Sequence, residues 1–172
     1  PLQHINDRIL TAMQRNTTRK QTETLLTKLR SHNIAVRTTL ISGFPGETEA
    51  EHAELLQFVN DQAFDALGVF PYSPEQNTPA AKLHAQGLAI PDEVIDQRLE
   101  QLRLAQQQIA FARNADLAKQ SKQIEVLIED FPDQVPTEIA DLAGDNYIFT
   151  ARSQSQAPQV DALTYVISET EL

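Results

Sequence analysis

Three short stretches of the 172-residue chain carry residue types that can meet a ligand: Gln3-His4, the run from Arg37 to Thr48, and Phe70 to Tyr72. Gly43-Phe44-Pro45-Gly46-Glu47-Thr48 sets two glycines directly before a helix start, where backbone N–H groups can hold an anion. The same run also reads as a tight turn plus a helix cap. It matches neither G-x-x-x-x-G-K-[ST] nor G-x-G-x-x-G, so no nucleotide triphosphate site follows from it. Gln3 and His4 offer an amide and an imidazole, either to a ligand's hydroxyl or carboxylate or to the loop that holds them. Arg37 interrupts an apolar, β-branched stretch, and its guanidinium needs a ligand carboxylate, a buried acid or solvent. Phe70 and Tyr72 can stack on a purine or simply close the core. His32 reads as a dipole-compensating residue at a helix end, and His52, among Glu49, Glu51 and Glu54, as part of a solvated face. His84 has no partner at a meaningful spacing, and no Ser-His-Asp order or carboxylate pair is marked out for acid–base work.

The elements that must position these residues alternate in type. Apolar spacing predicts helices over about 7–14 and 19–32, with Asn33 as a C-terminal cap, and a strand over 34–42 stopped by Gly43, Pro45 and Gly46. Thr48 and Glu51 form a capping box that opens a helix to about Gln62, and a second buried strand spans 64–70. Strands and helices alternating at this spacing imply parallel βαβ units, which bring all strand C-termini to one face. That face collects Gln3-His4, Ser42-Gly43 and Pro71-Tyr72. A loop rich in Pro, Asn and Ser follows, and Pro91 at a first helical position opens a long helix to about Ser121, with Ile95, Leu99, Leu102 and Ile109 on one face. From Gln123 onward three short strand candidates, 124–128, 147–150 and 164–167, make a second, all-β module, short of strands for a closed barrel, so that either the chain is truncated at Leu172 or the last edge is open. The fold class is therefore α/β, a partial (β/α) barrel portion followed by a small all-β module, divided into 1–121 and 122–172.

Composition narrows the function classes. A 41% hydrophobic content supports a real core, and 24 acidic against 14 basic residues leave a net charge of −10, which opposes general nucleic-acid binding. With no Cys, the chain offers no disulfide, no Cys-ligated metal and no thiol nucleophile. No apolar run approaches the roughly 20 residues of a membrane span. A start at Pro1 reads as a cut end, which makes the chain a fragment.

Taken in order and spacing, Pro1-Leu2-Gln3-His4, Arg37-Thr38-Thr39-Leu40-Ile41-Ser42-Gly43-Phe44-Pro45-Gly46-Glu47-Thr48, Gly68-Val69-Phe70-Pro71-Tyr72-Ser73-Pro74-Glu75 and Thr78-Pro79-Ala80-Ala81 resemble the radical S-adenosylmethionine methylthiotransferases. The resemblance spans about residues 1–115 and is to the branch that modifies a ribosomal protein. From about 123 the chain resembles the start of the family's TRAM domain, with Ala151-Arg152-Ser153 and Ala157-Pro158-Gln159-Val160-Asp161 in their usual places. It departs from the pattern at Ser42, where Val is commoner, and at Gln14, where Gly is usual.

The resemblance implies that 1–121 is the C-terminal part of a radical-SAM barrel with its connecting helix, and that 122–172 is an incomplete TRAM-like module. It implies S-adenosylmethionine and [4Fe–4S] clusters as cofactors, the cluster ligands lying outside this chain, and a fragment inactive by itself. Gln3, His4, Arg37, Thr39, Ile41, Gly43, Phe70 and Tyr72 would line the S-adenosylmethionine pocket; no catalytic or metal-binding residue is assigned. The implied reaction transfers a methylthio group to an aspartate of a small-subunit ribosomal protein in the cytoplasm. The alternatives are a tRNA-adenosine methylthiotransferase and a non-catalytic ligand- or protein-binding module. Arg37-Thr38-Thr39 resembles the protein branch rather than the tRNA branch. Residues 121–172 carry two basic side chains, Lys122 and Arg152, against ten acidic ones, a balance of −8 that disfavours RNA and suits a basic protein.

Overall fold

The computed structural model describes residues 1–158 and 160–172, in two compact units, Pro1–Ala118 and Lys119–Leu172. Of the stretches quoted above, Gln159 lies outside the described residues.

The first unit opens with α1 (Asp7–Ala12), whose first N–H groups are satisfied by the Asn6 side chain, and α2 (Arg19–Ser31), which starts at a Thr18/Gln21 capping box. Both helices close with a left-handed residue. After α2 it is Asn33, at φ 54°, with its N–H on the Arg30 carbonyl and that of Ile34 on Leu29. After α1 it is Gln14, at φ 57°, with its N–H on Thr11 and that of Arg15 on Leu10. This gives the departure at Gln14 a physical meaning: a side chain stands where glycine avoids a steric penalty. Gln14→Gly is expected to stabilise the unit by up to about 1 kcal/mol, the αL penalty of about 1–2 kcal/mol less glycine's greater unfolded-state entropy. A thermal melt that moves down instead would contradict this.

The strands are β1 (Arg37–Ser42) and β2 (Ala66–Pro71), joined through α3 (Glu49–Gln62), which begins at the expected Thr48/Glu51 capping box. They pair in parallel with Arg37 opposite Ala66 and Ser42 opposite Pro71. Gln3 adds a third parallel segment, donating its N–H to the Thr39 carbonyl (3.0 Å) and accepting from the Ile41 N–H (2.8 Å). Side chains alternate across this sheet. Leu40, Ser42 and Val69 point into the core, whereas Arg37, Thr39 and Ile41, with Ala66, Gly68 and Phe70 beside them, form the opposite face. That face is open enough to leave Phe70 56% exposed.

The core beneath joins Ile5, Leu26, Leu40, Leu55, Phe58, Val59, Phe64 and Val69 to Ile95, Leu99, Leu102 and Ala105 of α5 (Asp92–Lys119). The predicted face of α5 is the one buried, with Ile109 packed partly against it. Pro91 stands just outside the helix, its carbonyl accepting the Val94 and Ile95 N–H groups. The stretch expected as loop contains α4 (Pro79–Leu83), started by the Thr78 hydroxyl on the Ala81 N–H, and a π-type turn, His84–Leu88, broken by Gly87 at φ 87°. Thr78-Pro79 is a cap followed by a first-turn proline, a start signal that the loop-like composition obscured.

The second unit contains β3 (Val126–Asp130), α6 (Thr137–Ala143), β4 (Tyr147–Ser153) and β5 (Thr164–Ser168), the strands forming an antiparallel sheet in the order β3-β4-β5. Strands therefore formed where β-branched and aromatic residues cluster, but the module is not made of strands alone. Helix α6 follows Pro136 and ends at Gly144, φ 56°, and is too short for apolar periodicity to announce it. Phe149, Thr150 and Ala151 are buried on β4, and the Phe131 ring lies 4.9 Å from that of Phe149.

Candidate functional site

The C-terminal ends of the three parallel segments stand side by side. The Tyr72 N–H donates to the Ser42 carbonyl (2.8 Å), extending the pairing past β2, and the rings of Phe44 and Tyr72 meet edge-on at 5.6 Å. His84 from the π-type turn also neighbours Tyr72, with ring centroids 6.2 Å apart and the ring planes tilted by 33°. The Tyr72 hydroxyl is buried without a hydrogen-bond partner among the described residues, and burial, seconded by the Glu75 charge, pushes it above the ordinary phenol value. It is thus a neutral donor with nothing to donate to.

Behind this edge lies a cluster that the sequence reading did not identify. Glu47, only 5% exposed, turns its carboxylate inward. Its Oε2 accepts from the Gly43 N–H (2.7 Å) and stands 3.3 Å from Arg98 Nη1, which also donates to the Glu47 carbonyl (3.2 Å). His4 Nδ1 accepts from the Asn6 N–H (3.0 Å), which leaves Nε2 to carry the proton toward Glu47 Oε1 (3.4 Å). His52 donates from Nε2 to Gln101 Oε1 (2.7 Å) and turns Nδ1 toward Glu47 Oε1 at 3.8 Å. Burial pushes the Glu47 carboxyl up, but the His4 hydrogen bond, the Gly43 amide and Arg98 together outweigh it and hold the carboxyl below its ordinary value.

Two expectations change accordingly. His52 is not on a solvated face but 1% exposed. Helix α3 buries His52, Leu55 and Val59, spaced i, i+3, i+7, and that period outranks the charge of the flanking glutamates. His4 sits at a strand end as expected, yet it is buried and both ring nitrogens face protein partners, leaving neither for a ligand. The Gly43–Thr48 run behaves as a turn and cap: the Gly43 N–H is taken by Glu47, and the Glu51 N–H by the Thr48 hydroxyl.

Arg37 begins β1 rather than lying within it and is exposed. It shares the open face with Thr39 and Ile41, but four residues of strand, about 13 Å at 3.3 Å per residue, separate it from Ile41. Thr39, Ile41 and Phe70 are neighbours on that face, with Gly43 and Tyr72 at its C-terminal rim. Gln3 meets β1 with a left-handed backbone, φ 71°, an unfavourable conformation for a residue with a side chain. His32 caps α2, exposed as expected. Among the described residues no group of three or more His, Cys, Asp or Glu could hold a metal, and no helix is long and apolar enough to cross a membrane.

The rim is braced outside by Arg8, which donates to the Gly46 carbonyl (2.7 Å) and to both oxygens of Glu51 (2.5 Å each). Arg8, opposed by partial burial and helped by Thr48, brings the Glu51 carboxyl down to about 2. A depressed carboxyl stabilises the fold above its unfolded value, and that contribution is lost as pH falls toward the folded value. Since the Arg8 side chain is 55% exposed, Arg8→Ala is expected to cost only about 1 kcal/mol near pH 7. The gap between variant and parent should narrow as pH falls from about 4.5 to 2, read from urea midpoints across that range.

No family model matches the chain. Among curated proteins it is similar to those named ribosomal protein uS12 methylthiotransferase RimO. It is 39% identical over 168 residues to the one from Anaeromyxobacter sp. (strain K), covering 96% of this chain and 33% of the relative. Identity is 39% over 175 residues to the protein of Desulfitobacterium hafniense (strain Y51), covering 100% and 35%, and 40% over 174 residues to that of Lachnoclostridium phytofermentans (strain ATCC 700394 / DSM 18823 / ISDg), covering 100% and 36%. The chain spans about a third of the length of these relatives and matches a C-terminal part of them.

Proposed function

From a chain that belongs to the RimO family of methylthiotransferases, we propose that residues 1–121 supply the later strands of a radical-SAM barrel and hold S-adenosylmethionine against their open face, and that 122–172 form a TRAM-like module. The reaction proposed for the whole protein is transfer of a methylthio group to an aspartate of the small-subunit protein uS12, carried out in the cytoplasm. The observation that carries this reading is the uncovered face of a parallel sheet, since parallel sheets are ordinarily buried on both faces.

The residues on that face fit a sulfonium nucleoside. Ile41 and Phe70 offer apolar surface to an adenine, and Thr39 a hydroxyl. Gly68 keeps the floor low between Thr39 and Phe70, where a Cβ would come within 3.4 Å and 3.3 Å of their side-chain atoms. At the rim, the unpartnered Tyr72 hydroxyl can donate to the nucleoside or its amino-acid portion. Gln3 projects from the neighbouring strand end, and Arg37 stands at the far end of the face, where it adds positive charge. His4 contributes from behind, through Glu47.

When bound and reduced by a [4Fe–4S] cluster, S-adenosylmethionine supplies a radical able to take hydrogen from an unactivated carbon. The chain has no Cys, so cluster thiolates come from outside these residues. The acidic second unit suits a basic protein substrate better than RNA, whose phosphates call for Lys and Arg.

The test uses the intact enzyme carrying this chain, reconstituted without oxygen. Phe70→Ala and Tyr72→Phe are each expected to weaken S-adenosylmethionine binding about 10-fold, the loss of roughly one stacking or buried hydrogen-bonding contact. Unchanged affinity in both would remove the face from the binding site. Tight binding of transfer RNA with no modification of uS12 would overturn the substrate.

A further inference from the structure

We propose that Arg98 is a positioning residue for the ligand-facing rim, acting through Glu47 on the peptide of Gly43; the inference rests on the reading of that rim as part of the S-adenosylmethionine site. Arg98 lies on the second turn of α5, far in sequence from the strand ends, and its side chain is only 7% exposed. Its Nη1 engages both the carbonyl and the Oε2 of Glu47, and Nη2 reaches Glu49 Oε2 (3.2 Å). One guanidinium therefore holds Glu47 by main chain and side chain together. Glu47 Oε2 in turn takes the Gly43 N–H at 2.7 Å, fixing the peptide plane between Ser42 and Gly43 at the point where β1 leaves the sheet.

A second contact from the same helix acts on the same residue: a Cβ on Gly43 would fall 2.5 Å from Ile95 Cγ1. Ile95 and Arg98, one turn apart on α5, thus bracket the β1 rim from behind. The ionisable groups around Glu47 from the other elements are His4, after the first parallel segment, and His52 on α3, and each already has a hydrogen-bond partner of its own. Arg98 supplies the lasting positive charge of the cluster, a geometry suited to a planar guanidinium rather than a point charge. The ligand side of the Gly43 peptide would then be set from behind by α5.

Amide hydrogen exchange on the 172-residue chain tests the relay, with Ile41, whose N–H bonds to Gln3, as the internal reference. In Arg98→Met, exchange at Gly43 is expected to quicken about 10-fold while Ile41 stays within about 2-fold, with Arg98→Lys recovering part of the protection. Unaltered exchange at Gly43 in Arg98→Met would overturn the proposal, as would equal losses at Gly43 and Ile41, which mark general loosening. In the intact enzyme the same Arg98→Met is expected to raise the S-adenosylmethionine Kd about 10-fold, and less for Arg98→Lys. An unchanged Kd despite faster exchange at Gly43 would overturn the positioning role. If the parent enzyme binds no S-adenosylmethionine, the functional reading fails, while the exchange result still judges whether Arg98 acts on Gly43.

Discussion

Gly43→Ala is expected to destabilise the first unit by about 2–5 kcal/mol, a large part of the roughly 5–15 kcal/mol that holds a domain folded. Two independent penalties combine. Gly43 holds φ 79°, which costs an L-residue about 1–2 kcal/mol. Its new methyl would also sit 2.5 Å from Ile95 Cγ1 and 2.8 Å from Cδ1, so the side chain or the start of α5 must give way, a further roughly 1–3 kcal/mol of overpacking. The two separate in a double-mutant cycle. Ile95→Ala alone should cost about 2–4 kcal/mol by leaving a core cavity, but in its presence the alanine at 43 should cost only the backbone share. Urea midpoints of the four proteins decide this, and additive effects would mean that Ile95 does not press on Gly43.

Glu47→Ala should be comparably severe, about 3–5 kcal/mol, because it strands buried donors that converge on one carboxylate. The Gly43 N–H and His4 Nε2 would lose their acceptor, and Arg98 its buried counter-charge, though it would keep the Glu47 carbonyl and Glu49 Oε2. Glu47→Gln, which keeps an oxygen for some of them, should cost less. Acid behaviour gives a separate signature. The Glu47 carboxyl is held below its ordinary value, so its stabilisation is in place above about 4.5 and drains away as pH falls through the folded value. Glu47→Ala should lack this component, giving a flatter fall of stability as pH drops below about 4.5 in parallel denaturation series. An equally steep fall would assign the acid sensitivity to other carboxylates, Glu51 first.

Much of the first unit could be read from the chain because its signals are local. Thr48 and Glu51 announce α3, Gly43 and Gly46 stop β1, and Ile95, Leu99 and Leu102 mark the buried side of α5. The inner cluster was hidden for the opposite reason. Glu47 precedes a capping threonine and looks like part of a polar turn, and nothing near it in sequence says that Arg98, 51 positions on, will meet it. His52 looks solvated because Glu49, Glu51 and Glu54 flank it, yet its seven-residue spacing to Val59 places it on the buried face of α3. Thr39, Ile41 and Phe70 are candidates through the family resemblance, and their common face follows only from the strand register, which sets Ile41 opposite Phe70 and Thr39 opposite Gly68. Burial alone showed that His4 serves the scaffold. Helix α6 and the π-type turn escaped because five to seven residues leave too little pattern to distinguish a turn of helix from a loop.

The outer position of β5 in its sheet bears on how the protein behaves in concentrated solution. Thr164-Tyr165-Val166-Ile167-Ser168 is uncharged, β-branched and aromatic, the kind of segment that recruits a copy of itself along a free backbone. Asp161 stands just before it and Glu169 and Glu171 just after, so like charges meet whenever two such strands approach side by side. These acids act as gatekeepers against stacking. The chain as a whole carries −10 at neutral pH and none near its pI of about 4.8, so mild acid removes the overall repulsion between molecules while leaving the sticky segment intact.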